Sequence, residues 1–496
     1  MQHLAELPER RAEQDTEPLM IKDRSRELSV GGFADEVGRA TSHLADRNIR
    51  HGDVVAVMLP NRIELVSTFF AAWRLGAAVT PINPALTASE VAYQLIDSGA
   101  KLLITEDPDD ARTAQLDIPI LGASELSNGD GTPTRSKARL DDIALIVYTS
   151  GTTGKPKGVL LDHANLAATV DMLIEAAELS ATDRALLILP LFHVNGIMVS
   201  VMGPLAAGGS SIISSFQLQS FWEEVEATRP TYFSAVPTIY MLLNALPAEV
   251  TPQVSSLRFA ICGAAPMPPT AIEEFEKRYH IPLLEGYGLS EGTVASTINP
   301  LKGPRKVGTV GLPLPGQTVA IAGEDGHLLE NGDIGEVVVA GPNVMRGYLN
   351  RPEDTAAALA GGWLHTGDVG YLDEDGYLVL VDRKKDMIIW GGENIYPKEI
   401  EAVLHRHEAV LEEAVIGRPN SVYGEEPVAF VVLRQGMQVT EKELLDHCSK
   451  YLARFKIPRQ IIFTDALPKN AVGKISKPEL RAHLDDFMAA SHPLHD

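Results

Sequence analysis

A chain of 496 residues exceeds what one ordinary hydrophobic core sustains, so two or more domains are expected. Its 45% hydrophobic and 22% charged residues exclude a disordered chain or a fibre, and its two cysteines, Cys262 and Cys448, exclude a disulfide framework or a cysteine-based zinc cluster. With 66 acidic against 43 basic side chains, a formal charge of −23, the chain is a poor partner for nucleic acid, and any phosphate ligand must be met by local clusters of cations and backbone amides.

The first residues are polar and lack an apolar segment, so no secretory signal is read there and a cytoplasmic location is expected. From about Leu28 to Ala340 apolar runs alternate with helical stretches. Val54–Leu59, Lys101–Thr105, Ile143–Tyr148 and Leu257–Cys262 read as strands and Glu64–Leu75 as a helix, which predicts an α/β domain with largely parallel sheets. Leu186–Ile213 carries no formal charge outside His193 and approaches the roughly 20 apolar residues of a bilayer span. Pro190, Asn195, Gly196, Pro204 and the Gly208–Ser211 run interrupt it, so buried strand-turn-helix packing is expected and no integral membrane segment. After Gly311, Val319–Ala322, Gly335–Ala340 and Tyr377–Val381 are separated by turn signals at Glu324–Gly326, Glu330–Gly332 and Asp373–Gly376, implying hairpins in a small, barrel-like β region. The basic run Asp382–Asp386 then precedes a new α+β pattern. The expected division is a large domain over 1–382, a hinge over 383–386 and a small, mobile domain over 387–496.

The strongest motif runs from Ile146 to Gly158. A strand leads directly into Thr149, Ser150, Gly151, Thr152, Thr153, Gly154, Lys155, Pro156, Lys157 and Gly158. Glycines let backbone amides approach an anion, hydroxyls donate to it and the two lysines neutralise it, so this segment is built to hold phosphates. It is not a Walker loop, because Pro156 stands where the second glycine would be.

This loop resembles the signature of the adenylate-forming superfamily, the acyl-CoA synthetase branch above all, and the likeness extends in order from near Leu28 to near Lys474. The resemblance implies that residues from Thr149 to Lys157 cradle the β- and γ-phosphates of ATP. Leu189–Gly196 is similar to the segment whose histidine, here His193, lines the acyl pocket and the tunnel mouth. Gly263, Ala264 and Ala265 correspond to backbone lying along adenine. Glu285, Gly286, Tyr287, Gly288 and Ser290 fall in the next motif, where the tyrosine stacks on adenine and Glu291 holds Mg²⁺. Gly196, Gly263, Ala264, Gly286 and Gly288 leave space for the acyl group. Gly288, Ser290 and Gly292 also spell a hydrolase nucleophile elbow, but the β-branched stretch that follows is a poor helix.

Further along, the resemblance puts Asp368 and Arg383 on the ribose, Lys385 at the hinge, and Gly391 and Gly392 along the coenzyme A tunnel, where Trp390 departs from the small or polar neighbour expected. Lys474 takes the place of the catalytic lysine. An acid-free window, Ser449–Arg459, is either a contact for coenzyme A phosphates, with Phe455 near the adenine, or one basic helix face.

The function implied is ATP- and Mg²⁺-dependent activation of a carboxylic acid through an acyl-adenylate, then transfer to coenzyme A. The alternative is transfer to an amine or a carrier-protein thiol; an oxidative enzyme of the luciferase type and a non-catalytic nucleotide sensor rank below it. The pocket segments Val194–Val201, Ser234–Tyr240 and Gly263–Met267 contain no Arg or Lys, which favours an apolar fatty or aryl acid over a dicarboxylate. A homodimer stays open, since oligomeric state is not written in the sequence.

Overall fold

The computed structural model describes residues 3–110, 112–113, 117–131, 136–149, 156–265, 267–383, 386–390, 393–420, 422–469 and 475–484. The chain divides into two compact units. One comprises Met1–Ala320, Val338–Thr366 and Asp373–Leu378; the other comprises Ile321–Val337, Gly367–Leu372 and Val379–Asp496.

The first unit is α/β, as its alternating texture predicts. In one seven-stranded sheet Ile143–Thr149, Ala78–Pro81, Val54–Met58, Leu102–Thr105 and Ile120–Gly122 lie parallel in that order, and Lys157–Asp162 and then Gly347–Tyr348 add antiparallel at one edge. The helix Ile63–Arg74 is buried along its whole length, which its run of Leu65, Val66, Phe69, Phe70 and Trp73 requires. Its one carboxylate on the first turn, Glu64, is compensated by Arg26 at 3.0 Å and Arg62 at 2.7 Å.

A nine-stranded sheet carries the parallel run Leu283–Tyr287, Phe259–Cys262, Tyr232–Ala235, Arg184–Leu187, Ser210–Ile213 and Leu19–Lys22. Ligands of such sheets sit beyond the carboxyl ends of the strands, and Ala235, Cys262 and Tyr287 are those ends here. The apolar stretch Leu186–Ile213 is packed inside this unit. It comprises the end of a strand, one continuous helical run made of Val194–Ile197, the π-helical Met198–Met202 and Gly203–Ala206, and the strand Ser210–Ile213. Among the described residues no helix is long and apolar enough to cross a membrane.

The hairpin signals after Gly311 are realised as the strands Thr318–Ala322, Gly335–Ala340, Leu364–Leu372 and Leu378–Arg383 of one four-stranded sheet. Gly326, Gly332 and Gly376 hold φ values of 82°, 97° and 82° at the three turns. In the second unit Gly424–Leu433 pairs with Val410–Asn420 antiparallel and with Gln460–Phe463 parallel. Period-two alternation sorts its core. Val415, Ala429 and Val431 face the helices Pro397–His405 and Glu441–Ser449, whereas Ala414, Ile416, Val428 and Phe430 pack with Leu480 of the helix Lys477–Ala482.

In the first unit His163 is buried against Trp73, with ring centroids 5.5 Å apart, and beside His3 at 4.8 Å; among the described residues neither ring nitrogen of His163 has a hydrogen-bond partner. Burial, and then the neighbouring His3, pushes its pKa down to about 3. An unfolded chain binds that proton near the ordinary value of about 6.5, so the stability contribution is complete above that pH and is lost as pH falls towards 3. Replacing His163 by Phe is expected to flatten the fall in unfolding free energy between about pH 6 and pH 4, by up to one proton's worth of slope. Denaturant titrations at a series of pH values measure this, and an unchanged slope contradicts it.

Candidate active site

The phosphate-loop segment is closed at its base by sheet pairing. Ile143–Thr149 and Lys157–Asp162 run antiparallel, and Thr149 faces Lys157 as the last pair. Ser150, Gly151, Thr152, Thr153, Gly154 and Lys155 lie outside the described residues. Lys157 pairs with Asp354 at 2.9 Å and lies 5.2 Å from the ring centroid of Tyr348. The rim is anchored on both sides: the Tyr93 hydroxyl donates to the Pro156 carbonyl at 2.8 Å, and the Tyr148 hydroxyl donates to Asp97 at 2.9 Å. Burial, with the Asp97 hydrogen bond next, drives the Tyr148 phenol far above its ordinary value, so it stays protonated and donating.

Beyond the carboxyl ends of the parallel strands, the segment from Gly263 is fastened by Glu285, whose Oε1 accepts from the Met267 amide at 3.1 Å. Glu285 is buried opposite Cys262 in register. Ala264 holds φ of 71°, a conformation that costs a non-glycine residue about 1–3 kcal/mol and clusters at functional sites. Gly263 has room around it, since a Cβ there would lie 3.7 Å from the Gly286 carbonyl and 3.8 Å from Nδ2 of Asn195. Gly196, Gly286 and Gly288 are glycine for a different reason. A Cβ on Gly288 would stand 2.0 Å from the Val294 carbonyl, on Gly196 2.9 Å from that of Pro190, and on Gly286 3.0 Å from that of Thr297, so each permits a close backbone approach.

Tyr287 is buried. After it come the 3-10 turn Ser290–Gly292 and Thr293 at φ 65°, and then the strand Thr297–Ile298; no α-helix follows Ser290, so the geometry of a hydrolase elbow is missing. The carboxylate of Glu291 accepts the Tyr348 hydroxyl at 2.8 Å, and its backbone carbonyl accepts the Met345 amide at the same distance.

His193 is half-buried at the start of the Val194–Ile197 turn, with its ring 4.6 Å from that of Phe192. The loop that carries it hangs on Asn61, whose Nδ2 donates to the carbonyls of Leu189 at 2.9 Å and Ser214 at 2.8 Å while Oδ1 accepts the Leu191 amide at 2.9 Å. Beside it, the Ser234 hydroxyl donates to Asn195 at 3.0 Å. Sequence reading named neither Asn61 nor Tyr348 nor the Asp97–Tyr148 pair. Each acts across dozens of intervening residues, and nothing local marks it.

In the second unit Asp368 is buried and paired with Arg383, Oδ1 to Nε at 2.9 Å, so the two residues assigned to the ribose share one place. Asp382 alongside accepts the amides of Arg383 at 2.7 Å and Lys398 at 2.8 Å. Lys385, Gly391, Gly392 and Lys474 lie outside the described residues. Trp390 is stacked on Tyr423, centroids 4.1 Å apart, with the Arg459 guanidinium 4.4 Å from its ring centroid. The window Ser449–Arg459 is not a helix face: the helix Glu441–Ser449 ends where the window begins. Within the window Lys456 pairs with Glu399 at 2.7 Å and Phe455 packs on the unit's core.

A profile for AMP-binding enzymes matches residues 7–349, and one for the AMP-binding enzyme C-terminal domain matches residues 399–474. The chain belongs to the AMP-binding enzymes. It is 38% identical over 490 residues to an oxalate–CoA ligase of Arabidopsis thaliana, covering 92% of this chain and 95% of that one, and 38% identical to a feruloyl-CoA synthase of an Amycolatopsis species, covering 97% and 99%. Among solved structures, the o-succinylbenzoate CoA synthetase of Bacillus subtilis in complex with its acyl-adenylate intermediate is 32% identical, with a TM-score of 0.88 over 97% of this chain and 98% of that chain.

For an AMP-binding enzyme the fit of Mg²⁺ is decided by the donors present. Magnesium uses one or two carboxylates and fills the rest of its shell with water and substrate phosphate. Among the described residues no group of three or more His, Cys, Asp or Glu side chains could cage a metal, whereas Glu291 offers a single carboxylate already held on one oxygen. That donor set suits a cation arriving with ATP.

Replacement of Asn61 by Ala strands the Leu191 amide and two carbonyls, which is expected to cost about 1–3 kcal/mol of stability and to raise KM for the acid as the His193 loop loosens. Denaturant unfolding with steady-state kinetics measures both. Unchanged stability and KM would show that the loop holds itself.

Proposed function

We propose that this chain is an AMP-forming acid–CoA ligase for an apolar, monocarboxylic fatty or aryl acid, with Lys474 as the catalytic lysine and Glu291 as the Mg²⁺ ligand. The observation that carries this reading is one connected set of contacts: Lys157 of the closed phosphate hairpin lies over the Tyr348 ring, and the Tyr348 hydroxyl reaches Glu291. A polyphosphate binder and a metal-type carboxylate thus stand side by side, as adenylation demands.

A carboxylate and ATP repel each other, so positive charge must be supplied where negative charge develops. Lys157 and the loop amides bind and orient the β- and γ-phosphates. A bound Mg²⁺ on Glu291 would draw charge from the polyphosphate. The acid's carboxylate oxygen attacks the α-phosphorus, the bond from that phosphorus to the bridging oxygen breaks, and pyrophosphate leaves. Lys474 stabilises the five-coordinate phosphorus. Asp368, held by Arg383, accepts from the ribose hydroxyls and fixes the nucleotide. In the second half-reaction the coenzyme A sulfur attacks the acyl carbonyl carbon, AMP leaves and the thiol proton passes to solvent. Rotation at Lys385 exchanges Lys474 for the Gly391–Gly392 segment between the two steps.

Equal identity to ligases named for oxalate and for ferulate does not choose the acid. What supports an apolar acid is that the segments expected to line its pocket, residues 194–201, 234–240, 263–265 and 267, carry no Arg or Lys to pair a second carboxylate. Coenzyme A as acceptor is supported by the relatives, which are named as CoA ligases, and the bulk of Trp390 is taken up by its neighbours Tyr423 and Arg459. A reaction that consumes ATP and coenzyme A fits the cytoplasm.

Lys474→Ala is expected to lower acid-dependent pyrophosphate exchange by about 100- to 1000-fold while sparing thioester formation from preformed acyl-adenylate. Full exchange in a folded variant would remove the assignment. Incubation with ATP, a panel of fatty, aryl and dicarboxylic acids and free coenzyme A, followed by mass spectrometry, should yield acyl-CoA from apolar acids. AMP release without thioester would point instead to an amine or a carrier protein.

A further inference from the structure

We propose that Tyr348 is the positioning residue of the magnesium site, coupling the metal-type carboxylate of Glu291 to the lysine at the base of the phosphate loop through one phenol. The inference rests on the reading of Glu291 as the Mg²⁺ ligand.

Three sets of contacts converge on this side chain. Its backbone is sewn to the phosphate strand: Tyr348 faces Val159 and Gly347 faces Leu160 antiparallel, and the Leu349 amide donates to the Gly158 carbonyl at 2.8 Å. Three residues earlier, the Met345 amide donates to the Glu291 carbonyl at 2.8 Å, and Asn343 Nδ2 donates to the Gly292 carbonyl at 3.0 Å, so the segment 343–349 spans from the carboxylate to the loop. The side chain closes the circuit, with its hydroxyl 2.8 Å from Oε1 of Glu291 and its ring centroid 5.2 Å from the ammonium of Lys157, itself held by Asp354.

Oε1 is occupied and Oε2 accepts no hydrogen bond from the described residues, so Tyr348 leaves one carboxylate oxygen for a cation and fixes the side chain that bears it. The phenol donates and Oε1 of Glu291 accepts, so the contact fixes the carboxylate's orientation. A cation over the ring withdraws electron density and strengthens that donor, while the ring face stabilises the cation. A partner that orients a metal-binding carboxylate in this way contributes to affinity through rigidity, without touching the metal.

Tyr348→Phe keeps the ring under Lys157 and deletes only the hydroxyl. At fixed saturating ATP, the Mg²⁺ concentration giving half of the metal-dependent rise in unfolding temperature is expected to increase about 10- to 100-fold. kcat should return at high Mg²⁺, and the unfolding temperature without ligands should match that of the parent. Glu291→Gln should abolish the metal-dependent rise. If Tyr348→Phe keeps the parental Mg²⁺ midpoint while Glu291→Gln loses the response, the positioning role is overturned and the Glu291 reading stands. If Glu291→Gln responds like the parent, both fall. A Tyr348→Phe protein that is less stable without ligands but has an unshifted midpoint reduces Tyr348 to a packing residue.

Discussion

Two anions that repel must be made to react on a protein that is itself strongly anionic, and the site follows from that electrostatic constraint. With a net charge of −23 the long-range field does not attract ATP. Attraction has to be local, from a few cations and oriented backbone dipoles in places where water is thin and each is worth more than in solvent. In the sequence, Thr149–Lys157 brings two lysines, two glycines and four hydroxyl side chains together. It is mounted on the edge of a parallel sheet, so the strands on which its ends sit cannot drift apart.

The same constraint explains why so many groups around the site serve to hold other groups. Lys157 is shared between Asp354 and the Tyr348 ring, Glu291 is pinned by Tyr348, and the His193 loop by Asn61. A charge that must act on a developing transition state gains most when its reorganisation has been completed by folding. Ala264 at positive φ is the matching backbone feature: strain of about 1–3 kcal/mol is tolerated where the Glu285 carboxylate fastens the same segment.

Much of this was legible from sequence because it depends on local chemistry. The strands Val54–Met58, Leu102–Thr105 and Phe259–Cys262 fall within one or two residues of their apolar runs, because a strand buried on both faces must be apolar throughout. The turn glycines after Gly311 were legible for the same reason, since a positive φ is nearly a glycine signature. Of the two readings of Ser449–Arg459, the helix face is absent, because the helix ends at Ser449 and Arg459 and Lys456 contact Trp390 and Glu399, partners some sixty residues away. Gly196, Gly286 and Gly288, which the resemblance assigns to the acyl pocket, are in addition required by backbone carbonyls packed against them.

The sequence by itself determined which residue types are available for the proposed chemistry: the hydroxyl- and lysine-rich loop, Glu291, Asp368 and Lys474 have donors or charge that suit a phosphate, a metal or a ribose. It determined the α/β class as well, because hydrophobic periodicity is a local property. Only the tertiary structure decided how those residues are held. Tyr348 beneath Lys157 and against Glu291, Tyr93 and Asp97 on the loop's rim, and Asn61 under the His193 loop are contacts between segments far apart in the chain. A hydrogen bond between distant residues leaves no periodicity or composition in either segment, so its existence is settled only when the sheets have brought the two together.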